Sequence, residues 1–278
     1  MLAPLAMLAF AGNSLLARGA LAARAIDPVS FAAIRIAAGA AILTAVLAWR
    51  QGSGVLRRPP GSWGSAIALF AYALSFALAY LRLGAAIGTL ILFAAVQGTM
   101  IVGGMMGRDH PRAIELAGLG VAFGALAYLL LPGLGAPDFL GGLLMATSGI
   151  AWGVYSLRGR RGGDPLGETS GNFLRAAAIC FPLGLLQLVS GHASLPGAGL
   201  AIFSGAITSG LGYVAWYRAL PGLSATQAAT VQLTVPIIAA AGAMLFLSET
   251  LTARLAIASV CILGGVGLAM LAPRPGRR

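Results

Sequence analysis

Val96-Gln97-Gly98-Thr99 and Val231-Gln232-Leu233-Thr234 are near-copies of one another, each set within an apolar stretch. Tyr80-Leu81-Arg82 precedes the first as Trp216-Tyr217-Arg218 precedes the second. Asp27-Pro28 opens an apolar run, and Asp164-Pro165 sits just ahead of another. The three echoes recur in the same order at an offset of 135–137 residues, about half of the 278-residue chain. One such echo falls within the reach of chance in a biased composition; three in register point to an internal duplication.

Working outward, the chain is 59% hydrophobic and 9% charged, with a mean hydropathy of +0.90. A soluble domain carries roughly 25% charged residues, so this chain lacks the polar shell that would cover a core in water. Each membrane-spanning helix takes about 20 apolar residues. Breaks at Arg, Asp-Pro, Gly-Pro and Gly-rich clusters leave ten such runs: Leu2–Leu21, Pro28–Trp49, Trp63–Leu81, Ala85–Met106, Ala113–Leu131, Phe139–Leu157, Gly171–Ser190, Gly197–Leu220, Ser224–Leu247 and Thr252–Leu271. The reading is an all-α polytopic membrane protein with no stretch left for a soluble domain. Despite Ala23-Arg24-Ala25, the first run is read as a span and not a cleaved signal, because no positive residue precedes it.

Five spans per half is an odd number, so the second half enters the bilayer from the opposite side. Residues 1–136 and 137–278 are thus expected to form a five-plus-five inverted repeat, the architecture through which secondary transporters exchange inward- and outward-open states. Orientation follows from the arginines, which make up all 18 basic residues. With the N-terminus inside, Arg50, Arg57, Arg58, Arg108, Arg112, Arg158, Arg160, Arg161, Arg218, Arg274, Arg277 and Arg278 are cytoplasmic. Arg18, Arg24, Arg82 and Arg254 lie outside. This positive-inside bias places both termini in the cytoplasm. The net charge of +11 is therefore topological, and a nucleic-acid partner is not expected.

Tyr217-Arg218-Ala219-Leu220, Ser224-Ala225, Val235-Pro236 and Leu247-Ser248-Glu249-Thr250-Leu251 resemble the end of an EamA-type domain of the drug/metabolite transporter superfamily. Ala11-Gly12-Asn13 and Ile34-Arg35-Ile36 also match that pattern. Two departures lie in the first half: Ile101 stands where the family's proline would be, and Gly107-Arg108-Asp109 replaces its glutamate motif. The resemblance implies ten helices in an inverted repeat, location in a bacterial inner membrane, and export of small metabolites. The branch indicated is that of neutral and aromatic amino-acid exporters, working by alternating access through a central cavity; the alternatives are a carrier of a lipophilic drug, nucleotide sugar or sugar phosphate, or a non-transport membrane protein such as a receptor or embedded enzyme.

Polar groups within a bilayer need an internal partner or an aqueous cavity. The candidates are Asn13, Arg35, Gln97, Gln187, Gln227 and Gln232. Gln97 and Gln232 are repeat mates whose amides suit a zwitterion, with interhelical bonding as the alternative. Arg35 and Arg175 are read as carboxylate ligands or, more readily, as snorkelling or structural pairs. Tyr80, Trp152, Tyr155 and Tyr213 stand on aromatic stripes that suit cavity lining. Trp49, Trp63 and Trp216 suit the interfacial belt. Pro182 and Pro236 are candidate hinges, and four G-x-x-x-G pairs, including Gly120–Gly124 and Gly149–Gly153, are candidate packing faces. Serines and threonines within spans are expected to bond backbone carbonyls. No carboxylate stands at mid-span, Cys180 and Cys261 read as small hydrophobes, and no nucleophile–base or metal-ligand constellation exists. Neither enzymatic chemistry nor a cofactor is expected; the partners are a small-molecule substrate and lipid.

Overall fold

Helix starts follow local chemistry. In the computed structural model, which describes residues 2–52, 54, 59–105, 113–131, 136–159, 163–219 and 231–270, Asp27 Oδ1 accepts from Ser30 N at 2.9 Å, and Pro28 opens α2 (Pro28–Gln51). Asp164 and Pro165 do the same for α7 (Pro165–Ser190). A side-chain acceptor at the N-cap satisfies an orphan N–H, and proline at N1 lacks only a donor that would be unpaired anyway. Ser62 caps α3 (Trp63–Tyr80), and Ser194 caps the helix that begins at Leu195.

The remaining helices are α1 (Leu2–Ala22), α4 (Ala85–Met105), α5 (Ala113–Leu130), α6 (Phe139–Gly159), α8 (Leu195–Ala219), α9 (Thr234–Leu247) and α10 (Ala253–Met270). Ten helices and no strand occur among the described residues; a single β-bridge, Ile26 to Ala193, ties the α1–α2 and α7–α8 loops. Helices α1, α2, α3, α6 and α8 are long and apolar enough to cross a membrane, and α4, α5, α9 and α10 are apolar over shorter stretches. Within α8, Ser204–Leu211 is π-helical.

One sequence expectation is corrected here. The seventh span begins at Pro165, not Gly171, because Asp164 starts the helix ahead of polar residues that resembled a loop. Pro236 lies in the first turn of α9, just beyond Leu233, where the helical residues Val231 and Gln232 give way to a turn before the helix restarts at Thr234. Pro182 is inside α7, which continues through it.

Helix α6 packs on α3 and α4; α1 packs on α8 and α9. Helix α2 packs on α7 and α8, α3 on α7, α4 on α9, and α5 on α10. Where α6 meets α4, a Cβ on Gly149 would stand 2.5 Å from the Leu92 carbonyl oxygen, so only glycine permits this approach. By contrast, Gly120 and Gly124 have nothing within 4 Å among the described residues. Large apolar side chains point outward along the bundle, including Leu8, Ile67, Phe181, Leu186, Ile237, Phe246 and Val260. In water such a surface would aggregate; in a bilayer it is the solvent-matched face.

Gln227, His110, Ser224, Ala225, Gly107, Asp109, Arg57, Arg58, Arg108, Arg112, Arg160, Arg161, Arg274, Arg277 and Arg278 lie outside the described residues.

Candidate functional site

Midway along the bundle, five helices bring together a polar cluster wrapped in aromatic rings. Arg35 of α2 is 2% exposed, so it does not snorkel to the surface. Its Nε donates to Ser209 Oγ at 3.0 Å, and its Nη2 donates to the Tyr72 and Tyr213 hydroxyls at 2.9 and 3.3 Å. The guanidinium lies over the rings of Tyr72 and Phe76, at 5.0 and 4.8 Å from their centroids. Nη1 is buried with no hydrogen-bond partner among the described residues.

Asn13 of α1 extends the network. Its Nδ2 donates to Tyr72 Oη at 3.2 Å, while its Oδ1 accepts from Ser204 at 2.5 Å and from Thr208 at 3.3 Å. The π-helical stretch makes this arrangement possible. Ser204 and Ser209 are five residues apart, about 140° around an α-helix, yet the wider i→i+5 turn lets one reach Asn13 and the other Arg35. Here serines bond side chains; Thr89, Thr99, Thr147 and Thr169 bond carbonyls four residues back, as expected.

Trp152 of α6 is the hub of the aromatic wall. Its ring centroid lies 4.5 Å from Tyr213, 5.1 Å from Tyr72, 5.4 Å from a stacked Tyr155 and 6.0 Å from Phe10. Trp216 is 4% exposed and packs edge-on against Phe10, which removes it from the interfacial belt; Trp49 and Trp63 are exposed as belt residues would be.

The two ends of the bundle differ. Arg158 donates to Ser62 and Ser65 at the start of α3, and here a cleft is lined by Tyr155, Gly159, Pro165, Glu168, Asn172 and Tyr217. Helix α3 then runs about 27 Å to Tyr80, whose carbonyl accepts from Arg18 Nη1 at 3.1 Å. At that far end Arg18 Nε meets Glu249 Oε1 at 3.4 Å. Glu249 also accepts from Ala85 N at 2.8 Å and Ala86 N at 3.4 Å, capping α4 from the loop after α9. One end is thus tied across four helices while the other carries the cleft. Glu249→Ala is expected to lower the melting temperature in detergent, with Glu249→Gln intermediate because it keeps an acceptor. Loss of a cap costs about 0.5–2 kcal/mol; equal melting of wild type and both variants would show that the tie contributes nothing.

Of the residues singled out from sequence, Asn13, Arg35, Trp152, Tyr155 and Tyr213 converge. Tyr80 continues the stripe from Tyr72 and Phe76, but its hydroxyl pairs with Thr89 at 3.0 Å. Gln97 and Gln232 are buried on α4 and just ahead of α9, and Gln97 Nε2 has no partner among the described residues. Arg175 donates to the carbonyls of Pro59, Pro60 and Gly171, a structural clamp on the loop before α3. Gln187 sits in the last turn of α7. Sequence reading missed Ser204, Ser209, Phe10 and the cleft residues Glu168 and Asn172; the Asp164-Pro165 cap signal alone could have placed the last two on a helix.

The profile of the EamA-like transporter family matches residues 139–271. An uncharacterized protein of Pseudomonas aeruginosa is 50% identical over 279 aligned residues, covering 100% of this chain and 96% of that protein. An uncharacterized transporter of Archaeoglobus fulgidus is 26% identical over 96% of both chains. A crystal structure of a protein 20% identical to this one superposes with a TM-score of 0.68 over 96% of this chain and 95% of the other, a likeness of fold. Residues 139–271 are thus a domain of the EamA-like transporter family, in a chain matched end to end by a relative, and the protein is an integral membrane protein.

Proposed function

We propose that the protein is a bacterial inner-membrane carrier that exports neutral or aromatic amino acids by alternating access through the Asn13–Arg35–Trp152 cluster. The observation that carries this reading is the position of the cluster. It lies at mid-bundle, between a cleft at one end and a four-helix tie at the other. A site buried behind Tyr155 and Trp152 on the cleft side and closed at the other end is the occluded stage through which alternating access passes.

The packing supports an inverted repeat of residues 1–136 and 137–278. Exchanging α1–α5 with α6–α10 converts the contact of α3 with α6 into that of α8 with α1. It also converts α4–α6 into α9–α1 and α3–α7 into α8–α2, while α2–α7 and α5–α10 map onto themselves. Under the arginine rule both termini are cytoplasmic, so the cleft faces the cytoplasm and the Arg18–Glu249 tie faces outward.

The described carboxylates stand at helix ends: Asp27, Asp138, Asp164 and Glu249 cap helices, and Glu168 borders the cleft. Counterflow of labelled phenylalanine or leucine into preloaded proteoliposomes is therefore expected at equal pH on both sides. Exchange that appears only under an imposed pH gradient would instead assign a proton-carrying role to Glu168 or Glu249.

A further inference from the structure

Arg35 is a full positive charge buried with no acid beside it among the described residues. Each of the five described carboxylates whose surroundings are resolved is engaged at a helix end or the cleft, and the two ion pairs among the described residues are Arg18–Glu249 and Arg82–Asp138. Burying an uncompensated guanidinium costs several kcal/mol even after relaxation. Neutral hydroxyls from Tyr72, Tyr213 and Ser209 and the faces of Tyr72 and Phe76 offset part of that. A protein that needed only structural glue at this depth would use a neutral amide.

We propose, on the reading that the protein is an amino-acid carrier, that Arg35 is the counter-ion for the carboxylate of the cargo, and that the carboxylate rather than the ammonium is what the site reads. Three observations carry this. The Nη1 edge is the part of the fork left without a partner, and a guanidinium edge matches a carboxylate in geometry and charge. The rings of Tyr72 and Phe76, whose centroids are 5.4 Å apart, lie together on one side of the guanidinium and close that side to an incoming anion. The wall beside it is Trp152, Tyr213 and Phe10, which offers aromatic surface for a side chain but no acid for an ammonium. Asn13 Oδ1, an amide acceptor in the same network, already takes two hydroxyl donors. A single guanidinium balances one negative charge, which favours a carboxylate over a doubly charged phosphate ester.

The approach runs from the cleft. Tyr155 lines it and stacks on Trp152, which contacts Tyr213, whose hydroxyl accepts from Arg35. Three rings, those of Tyr155, Trp152 and Tyr213, thus stand between the cleft and the guanidinium, and a cargo entering there displaces them.

The test uses the full-length purified protein and four probes: phenylalanine, phenylalaninamide, 2-phenylethylamine and 3-phenylpropionate. Competition against labelled phenylalanine is measured on wild type and on Arg35→Gln, with melting temperature recorded for both. On wild type, the amide and the amine are expected to bind ten- to hundredfold more weakly than phenylalanine, and phenylpropionate to stay within tenfold of it. Arg35→Gln is expected to flatten that preference. Equal binding of the amide and the acid by wild type, or an unchanged preference in Arg35→Gln, overturns the carboxylate assignment and leaves the carrier reading standing. Should none of the four probes bind or exchange on wild type, the amino-acid reading itself falls, and this assignment with it. If Arg35→Gln does not fold, the wild-type probe series decides alone.

Discussion

Gly205→Ala lowers the melting temperature of the purified protein by several degrees, whereas Gly199→Ala in the same helix leaves it unchanged or slightly raised. At Gly205 an added Cβ would stand 2.1 Å from the Arg35 carbonyl oxygen, 2.8 Å from its carbon and 2.9 Å from its Cα. All three are backbone atoms of a packed helix, so no rotamer change can relieve the clash. Overpacking of this kind costs about 1–3 kcal/mol, and each kcal/mol shifts the melting temperature by roughly 2–4 °C at this size. Gly199 has nothing within 4 Å, and replacing it recovers about 0.5–1 kcal/mol of helix propensity. Melting both variants in the same detergent checks the contrast. Equal behaviour would mean that α2 and α8 yield at their crossing.

Trp152→Ala is expected to abolish both exchange and much of the stability, and Trp152→Phe to separate the two. Truncating a buried tryptophan costs about 3–5 kcal/mol, and here four ring partners lose their neighbour. Loss of transport in Trp152→Ala would therefore not by itself assign Trp152 to the site. Phenylalanine keeps the edge and face contacts with Tyr72 and Tyr213 while removing the indole nitrogen and about a third of the surface. The expected result is a melting temperature close to wild type with weaker affinity for aromatic cargo. A Trp152→Phe protein that melts much earlier yet binds labelled phenylalanine normally would make this residue purely structural.

The cap at Asp27 was legible in the sequence because Asp-Pro acts on its own next few residues, and the matching cap at Asp164 obeys the same rule. Reading the seventh span from Gly171 overlooked this. Leu166-Gly167-Glu168-Thr169 is too polar for lipid, but it borders the cleft, where polarity has another use. Arg35 was visible as a costly residue, whereas its company was not: Ser209 and Tyr213 lie 174 and 178 residues away. Even a correct topology would have misplaced Ser204 and Ser209, since α-helical periodicity sets them on different faces and only the π-helical turn reunites them. The same change of pitch explains Trp216, which lies beyond that turn and faces Phe10 instead of the interface. Sequence periodicity carries the rule of an ideal helix, so a local change of pitch is where it loses track.

The bare crossing of α2 and α8 has a mechanical meaning. Helices that meet through side chains slide past one another, because rotamers absorb the travel. At Gly205 backbone rests on backbone, and sliding is blocked while turning is not. On the carrier reading proposed above, this contact is the fulcrum between the two halves of the chain. It sits at the very residue that carries the buried charge, so Arg35 is the point that moves least when the halves rock. Displacement grows with distance along the lever, reaching its greatest at the cleft and at the Arg18–Glu249 tie. In that proposed cycle the charged centre keeps its geometry while the cleft and the tie move about it.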